Sequence, residues 1–137
     1  MTSRTVSLRF QGVPGTETGL ARSGRHVLIA DRPEGVAGGQ GLGFNGAVLL
    51  SAALGGCVWN DLHHAAAAEG CTLSRVEVAV ETTLSGTPLR VTASTIRVQV
   101  EAESLEQARS CFAAACRESA IANSVLGAFP IMFELED

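Results

Sequence analysis

The amino-acid sequence predicts an α+β fold in which an antiparallel sheet packs against two core helices. Residues 47–69 form a long apolar stretch of helical length, whereas residues 75–84 and 89–101 alternate apolar and polar side chains, as strands with one buried face do. At 137 residues the chain is long enough to bury a core of its own. We therefore expect a single domain over residues 1–137.

Two short strands are predicted near the amino terminus, where apolar and polar residues alternate over residues 6–10 and 26–29. Turn-forming residues fill positions 12–19 and 34–46. The second of these segments is rich in glycine, but it lacks the ending of a phosphate-binding loop and the glycine spacing of a dinucleotide site. It therefore predicts a loop that leads into the apolar helix.

The apolar helix is expected over residues 47–69, with Gly70 as its stop. Its first half is apolar on every side, so we expect protein to cover it all round. Gly55 and Gly56 stand inside it, immediately before Cys57. Because each glycine costs roughly 0.5–1 kcal/mol relative to alanine, we expect another element, the second core helix, to approach the backbone here.

The rest of the chain predicts a hairpin, a helix and a last strand. A Gly-Thr-Pro turn joins the two long strands, and a change of apolar parity between Ala93 and Ile96 predicts a bulge or a bend. Ser104 and Gln107 have capping-box spacing and open the second helix. Its apolar stripe comprises Leu105, Ala108, Phe112, Ala115, Cys116 and Ser119. A further apolar segment follows over residues 120–126, and residues 129–135 alternate as a strand.

Composition limits the classes of partner. The net charge of −4 argues against nucleic-acid binding, and all ten basic residues are arginine. The first ten residues lack the apolar core of a signal peptide, and the longest apolar run is shorter than the roughly 20 residues that span a bilayer. We expect a cytoplasmic protein without a membrane partner. In a reducing compartment its four cysteines indicate metal binding, redox chemistry or burial.

Cys57 is the candidate for thiol chemistry. An unperturbed thiol has a pKa of about 8.5, so a reactive cysteine needs a nearby cation to hold its thiolate. The helix dipole acts within the first helical turn, and Cys57 lies beyond that turn. The permanent cation available to this chain is arginine. Cys116 is the candidate partner thiol on the second helix. For both residues the alternative role is a small packing side chain.

Two segments carry a resemblance to a known family. Residues 43–57, GFNGAVLLSAALGGC, resemble the signature of the OsmC/Ohr family (osmotically inducible protein C and organic hydroperoxide resistance protein), roughly G-x-N-P-x-E-L-L-x-A-A-x-x-x-C. Residues 115–119 resemble its C-P-x-S motif, with Cys116 and Ser119 in register. The resemblance covers nearly the whole chain and implies an OsmC-like fold in which two chains intertwine as a homodimer, with two sites at the interface.

The resemblance also implies a chemistry, the thiol-dependent reduction of organic or hydrogen peroxide. Cys57 would be the peroxidatic cysteine and Cys116 the resolving cysteine, and an external dithiol would restore both. No cofactor and no metal are implied. The expected pocket residues are Gly55, Gly56, Trp59 and Ser119.

The chain departs from the family pattern where an arginine should be positioned over the thiolate. Ala47 and Val48 occupy the places of the family glutamate, and neither can hold a guanidinium. The amino-terminal arginine of the family aligns near residues 16–17, which are threonine and glutamate here. The candidate cations are therefore Arg22, Arg25 and Arg117, which replaces the family proline. For Arg117 a solvated surface position is the alternative.

Two rival functions remain. The first is a non-catalytic OsmC-like protein that binds an apolar small molecule at the dimer interface, which the missing glutamate favours. The second is a metal-dependent hydrolase built on the Asp61 and His64 face of the helix. Cys57, Asp61 and His64 share this face and could be three metal ligands. No second ligand-bearing segment is evident, so no metal site is expected. Cys71 and Cys111 have no family counterpart and are expected to be structural.

Overall fold

Nine helices and strands follow one another in the computed structural model, which describes residues 2–137. In chain order they are β1 (Arg9–Gly12), β2 (Gly19–Ser23), β3 (His26–Ala30), α1 (Gly46–Glu69), β4 (Arg75–Ser85), β5 (Arg90–Glu101), α2 (Leu105–Glu118), α3 (Ala120–Val125) and β6 (Ile131–Glu136). The α+β prediction is confirmed. The described residues form two compact units, one ending at Leu49 and one running from Leu50 to Asp137.

The amino-terminal unit contains an antiparallel sheet with the order β1-β2-β3. Strand β2 was not predicted, because residues 19–23 show no clear apolar alternation. It forms through its pairing on both sides, with Arg22 opposite Arg9 and Val27. The strand predicted over residues 6–10 begins only at Arg9. Non-local pairing has overridden the local pattern here.

The carboxylate of Asp31 organises the glycine-rich loop of this unit. Its side chain is fully buried. It accepts hydrogen bonds from the backbone N–H groups of Arg32 (2.8 Å), Leu42 (3.0 Å) and Gln40 (3.1 Å), and from the hydroxyl of Thr18 (3.3 Å). The bond from Leu42 is the main cause that lowers the pKa of Asp31. The loop is therefore held by an internal anion.

The second unit has a mixed sheet with the order β4-β5-β6. Strands β4 and β5 are antiparallel, but β5 and β6 are parallel, so the prediction of an all-antiparallel sheet is wrong. The chain leaves the carboxyl-terminal end of β5, passes through α2 and α3, and starts β6 near the end at which β5 began, and such a crossover produces parallel pairing. The predicted bulge exists slightly earlier: Thr83 pairs with Ala93 and Leu84 with Val91, leaving Thr92 as the extra residue.

The core of this unit lies between the helices and one face of the sheet. Helix α1 contributes one buried stripe with a residue at every fourth position, so the predicted all-round burial is not met within one chain. Val48 and Trp59 on the same helix are each 42% exposed. The buried core residues are Leu54, Val58, Leu62, Ala66, Ile96, Val98, Val100, Ala108, Cys111, Ala115 and Ala122.

The end of α1, which precedes Cys71, and the start of α2, which carries Cys111 and Cys116, both have well-defined caps. Gly70 adopts φ +68°. Its N–H donates to Ala67 O at 3.3 Å, and the N–H of Cys71 donates to Ala66 O at 3.0 Å, which is the Schellman pattern. At the start of α2, the predicted cap is confirmed, because Ser104 Oγ accepts from the N–H of Gln107 at 3.1 Å. Among the described residues, no helix is both long and apolar enough to cross a bilayer.

Candidate thiol sites

Cys57 lies on α1 as a half-buried free thiol. Its Sγ donates to Asp61 Oδ2 at 3.6 Å, one helical turn further on. A carboxylate accepts the proton of a thiol but repels a thiolate, since both would be negative. Among the described residues, the recorded hydrogen-bond partner of the Cys57 sulfur is thus an acidic side chain of its own helix.

Three of the four predicted pocket residues share one groove. Gly55, Gly56 and Trp59 line an apolar groove of about 290 Å³ together with Ser51, Ala52, Val78 and Val80. Cys57 is not among the lining residues, because it lies about 200° around the helix from Gly55. The groove and the thiol therefore occupy different faces of α1.

Another element does approach Gly55, but it is not the element that was predicted. A Cβ on Gly55 would lie 2.9 Å from Val80 Cγ2 and 3.7 Å from Val78 Cγ1, both on β4. The neighbour of Gly55 is thus a strand and not the second helix, since this face of α1 packs on the sheet. Nothing lies within 4 Å of a Cβ on Gly56.

Cys116 is a half-buried free thiol on α2, and burial raises its pKa to about 11. Three residues further on, Ser119 is completely buried and its hydroxyl accepts from the N–H of Ala122 at 3.4 Å, so it caps α3. In the part of the chain that the structure describes, no hydrogen bond joins the sulfur atoms of Cys57 and Cys116. Their pairing remains a prediction.

The three candidate arginines are all at the surface. The side chain of Arg117 is 68% exposed and its Nε lies 3.0 Å from Glu118 Oε1, which is the solvated arrangement. Arg22 is an exposed residue of β2, and Arg25 lies in the turn between β2 and β3. Both belong to the amino-terminal unit, whereas Cys57 belongs to the other. Their role toward Cys57 stays a prediction.

Sequence reasoning missed a second pair of thiols. The sulfurs of Cys71 and Cys111 lie 3.8 Å apart. Burial, followed by the neighbouring Cys71 thiol and the carboxylates of Glu69 and Glu103, raises the pKa of Cys111 to about 12. The two cysteines lie 40 positions apart in the sequence and form no motif, so only the Schellman end of α1 and the buried stripe of α2 bring them together.

The metal-ligand set considered from the sequence is not the one that clusters. Among the described residues, the ligating atoms of Glu69, Cys71 and Cys111 all lie within 4.8 Å of one another. Asp61 instead accepts from Cys57, and His64 is exposed.

The fold and these sites define a class: small α+β proteins whose core helices each carry a free cysteine beside a mixed sheet. The model of the OsmC-like protein family matches residues 38–134, and the chain belongs to this family. No curated protein sequence matches the chain significantly.

Solved structures show the same fold at low sequence identity. An OsmC-like protein from Mycoplasma pneumoniae has a TM-score of 0.81 and 15% identity, covering 98% of each chain. An organic hydroperoxide resistance protein OsmC from Legionella pneumophila, also described as a predicted redox protein, has a TM-score of 0.74 and 19% identity over 100% of each chain. The organic hydroperoxide resistance protein OhrB of Bacillus subtilis has a TM-score of 0.65 and 20% identity over 97% of this chain and 98% of its own.

Proposed function

We propose that this protein detoxifies peroxides, reducing organic hydroperoxides or hydrogen peroxide with Cys57 as the peroxidatic thiol and Cys116 as the resolving thiol. The observation that carries the proposal is the presence of two half-buried free thiols, one on each core helix of an OsmC-like fold. The names of the Legionella pneumophila and Bacillus subtilis proteins support it, since both refer to organic hydroperoxide resistance.

The proposed reaction has three steps. The thiolate of Cys57 attacks one peroxide oxygen, the O–O bond breaks, and the leaving alkoxide or hydroxide takes a proton from solvent, so the products are a sulfenic acid on Cys57 and an alcohol or water. The thiol of Cys116 then attacks the sulfenic sulfur, which forms a disulfide and releases water. An external dithiol reduces this disulfide by exchange and is itself oxidised. Because the pKa of Cys116 is raised to about 11, the second step needs a base or the leaving hydroxide to take its proton.

The proposal includes a homodimer. Helix α1 leaves Val48 and Trp59 exposed, and the amino-terminal sheet leaves Phe10 and Val27 exposed by 50% and 57%. Apolar surface of this kind is typical of an interface between chains. A second copy would also complete the cover that the apolar first half of α1 requires.

A second candidate function rests on two other observations. The groove beside Trp59 is apolar and open to solvent, and the recorded polar partner of the Cys57 thiol is the carboxylate of Asp61 rather than a cation. An OsmC-like protein that binds an apolar small molecule without chemistry would show both features.

Peroxide-driven loss of thiols separates the two functions. We expect cumene hydroperoxide to protect Cys57 from alkylation, as measured by peptide mass spectrometry, and Cys116→Ser to allow over-oxidation of Cys57 to the sulfinic acid. Arg22→Gln, Arg25→Gln and Arg117→Gln, made singly, identify the activating cation by slower oxidation of Cys57.

A Cys57→Ser variant is the matched control, since it retains the other three cysteines. If cumene hydroperoxide and hydrogen peroxide both leave the alkylation rate of Cys57 unchanged, the peroxidase proposal is wrong and the binding function is favoured. Sedimentation equilibrium tests the dimer, and a monomer at micromolar concentration would contradict that part of the proposal.

A further inference from the structure

We propose that Cys71, Cys111 and Glu69 bind one zinc ion between the carboxyl-terminal end of α1 and the middle of α2. Their three ligating atoms lie within 4.8 Å of one another. This site is separate from the Cys57 and Cys116 thiols and takes no part in the peroxide reaction proposed above.

The spacing of the two sulfurs matches a metal dithiolate. Zinc–sulfur bonds of about 2.3 Å at a tetrahedral angle place two sulfurs about 3.8 Å apart. The sulfurs of Cys71 and Cys111 are 3.8 Å apart. A disulfide bond is about 2.05 Å long, so its formation would require the two helices or side chains to move. The geometry therefore favours a shared ion over a covalent bond.

Each sulfur is held by the backbone that carries it. Cys71 is fixed by the Schellman end of α1, through its N–H bond to Ala66 O at 3.0 Å. Cys111 is completely buried in the stripe of α2 that packs on the core. Such fixed positions lower the cost of ordering ligands around an ion.

Glu69 supplies a third, oxygen ligand. Its Oε1 accepts from the hydroxyl of Ser110 at 2.6 Å, which orients the carboxylate beside α2. Hydrogen bonds of this kind commonly orient metal ligands. Glu69 is exposed and Cys71 is half-buried, so an ion can reach the site from solvent. Three protein ligands leave the fourth position of a tetrahedral ion for water.

The surroundings of the pair are negative. The carboxylate of Glu69 lies within 4.8 Å of both sulfurs, and the carboxylate of Glu103 accepts from the N–H of Thr72, the residue after Cys71, at 2.9 and 3.1 Å. The carboxyl-terminal end of α1 adds the negative end of its dipole. This set of charges attracts a cation. On binding, the two thiols release two protons to solvent and the ion accepts both thiolates.

Metal titration of the full-length, reduced and metal-free protein tests the proposal. Competition with a chromogenic chelator should show one equivalent of Zn²⁺ bound. Co²⁺ in its place should give the visible bands of a tetrahedral ion and a near-ultraviolet thiolate charge-transfer band. Cys71→Ser should abolish the binding of Zn²⁺ and the Co²⁺ spectrum. Glu69→Gln should weaken Zn²⁺ binding by at least about tenfold. Cys57→Ser and Cys116→Ser are the matched controls and should bind like the wild type.

Several results would overturn the zinc site. They are the absence of Zn²⁺ binding by the reduced wild type, a Co²⁺ spectrum without thiolate bands, wild-type binding by Cys71→Ser, or loss of binding in the Cys57→Ser control. Formation of a Cys71–Cys111 disulfide with diamide, equally fast with and without saturating Zn²⁺, would also refute it. Because Cys71 is only half-buried, its serine variant is expected to fold, and circular dichroism checks this before the titration.

Discussion

Replacement of Gly55 by alanine tests the contact between α1 and β4. The new Cβ would lie 2.9 Å from Val80 Cγ2, closer than real Cβ atoms approach other carbons. Val80 is β-branched and has little freedom to turn away. Overpacking of this kind typically costs about 1–3 kcal/mol, whereas the alanine gains about 1 kcal/mol in helix propensity. The net change in the free energy of unfolding should lie between zero and a loss of about 2 kcal/mol.

Gly56→Ala is the matched control. It makes the same chemical change one residue later, where nothing lies within 4 Å of the added Cβ. It should therefore raise the free energy of unfolding by about 1 kcal/mol. The two variants should differ by about 1–3 kcal/mol, or by about 4–12 °C in Tm for a domain of this size.

Urea unfolding followed by far-ultraviolet circular dichroism measures both variants. The measurement is made at two protein concentrations, because a second copy that covers Gly56 would make its effect concentration-dependent. If both alanines stabilise the protein equally, or if Gly56→Ala is as destabilising as Gly55→Ala at low concentration, the assigned packing of α1 on β4 is wrong.

Three further predictions follow from the carboxylate, the thiol and the helix cap described above. The pKa of Asp31 is lowered, chiefly by its bond from the N–H of Leu42. Its stabilising effect is therefore present above the pKa of the unfolded chain and lost as pH falls through the lower folded value. Amide exchange at Gln40 and Leu42 should accelerate in Asp31→Asn, and unchanged protection would contradict the anchoring role. The pKa of Cys116 is about 11, so its alkylation rate should rise about tenfold per unit between pH 8 and 10; a plateau near pH 9 would disprove this. Ser104→Ala should lower the free energy of unfolding by about 1 kcal/mol, as measured by urea unfolding, because Ser104 Oγ no longer accepts from the N–H of Gln107. Ser124→Ala in the short α3 is the control, since it removes a serine hydroxyl that is not at a capping position.

Local signals were sufficient for the elements that depend on neighbours in the sequence. The end of α1 follows from Gly70, which alone can adopt φ +68° there without strain. The start of α2 follows from Ser104, whose hydroxyl replaces a missing backbone partner. The β4–β5 hairpin follows from alternation around a short turn, and its bounds agree with the prediction to within one residue.

The elements that sequence reasoning missed depend on distant partners. Strand β2 exists because β1 and β3 pair with it, and the direction of β6 depends on where the crossover delivers it. The contact of Cys71 with Cys111 has the same cause, since it requires the fold of the 39 residues between them. The periodicity of the individual segments does not indicate any of these contacts.

The candidate site was recognised mainly through the family motif at residues 43–57. The motif located Cys57, but the partner of its sulfur, Asp61, could be found from the sequence only as a neighbour one turn away. Ser119 stood in the motif around Cys116, and the structure gives it the local task of capping α3. A side chain that matches a family motif can thus act as a helix cap.

The parallel pairing of β6 with β5 also determines the order in which the second sheet can be assembled. Four residues, 86–89, separate β4 from β5, whereas 29 residues, 102–130, separate β5 from β6. Closing the longer connection costs about 1.7 kcal/mol more in chain entropy, from the logarithmic dependence on loop length. The hairpin can therefore gain protection from hydrogen exchange before β6 does in a pulse-labelled refolding reaction. The edge of β5 that pairs with β6 stays open to solvent and to other chains until α2 and α3 have docked and β6 has formed its hydrogen bonds along that edge.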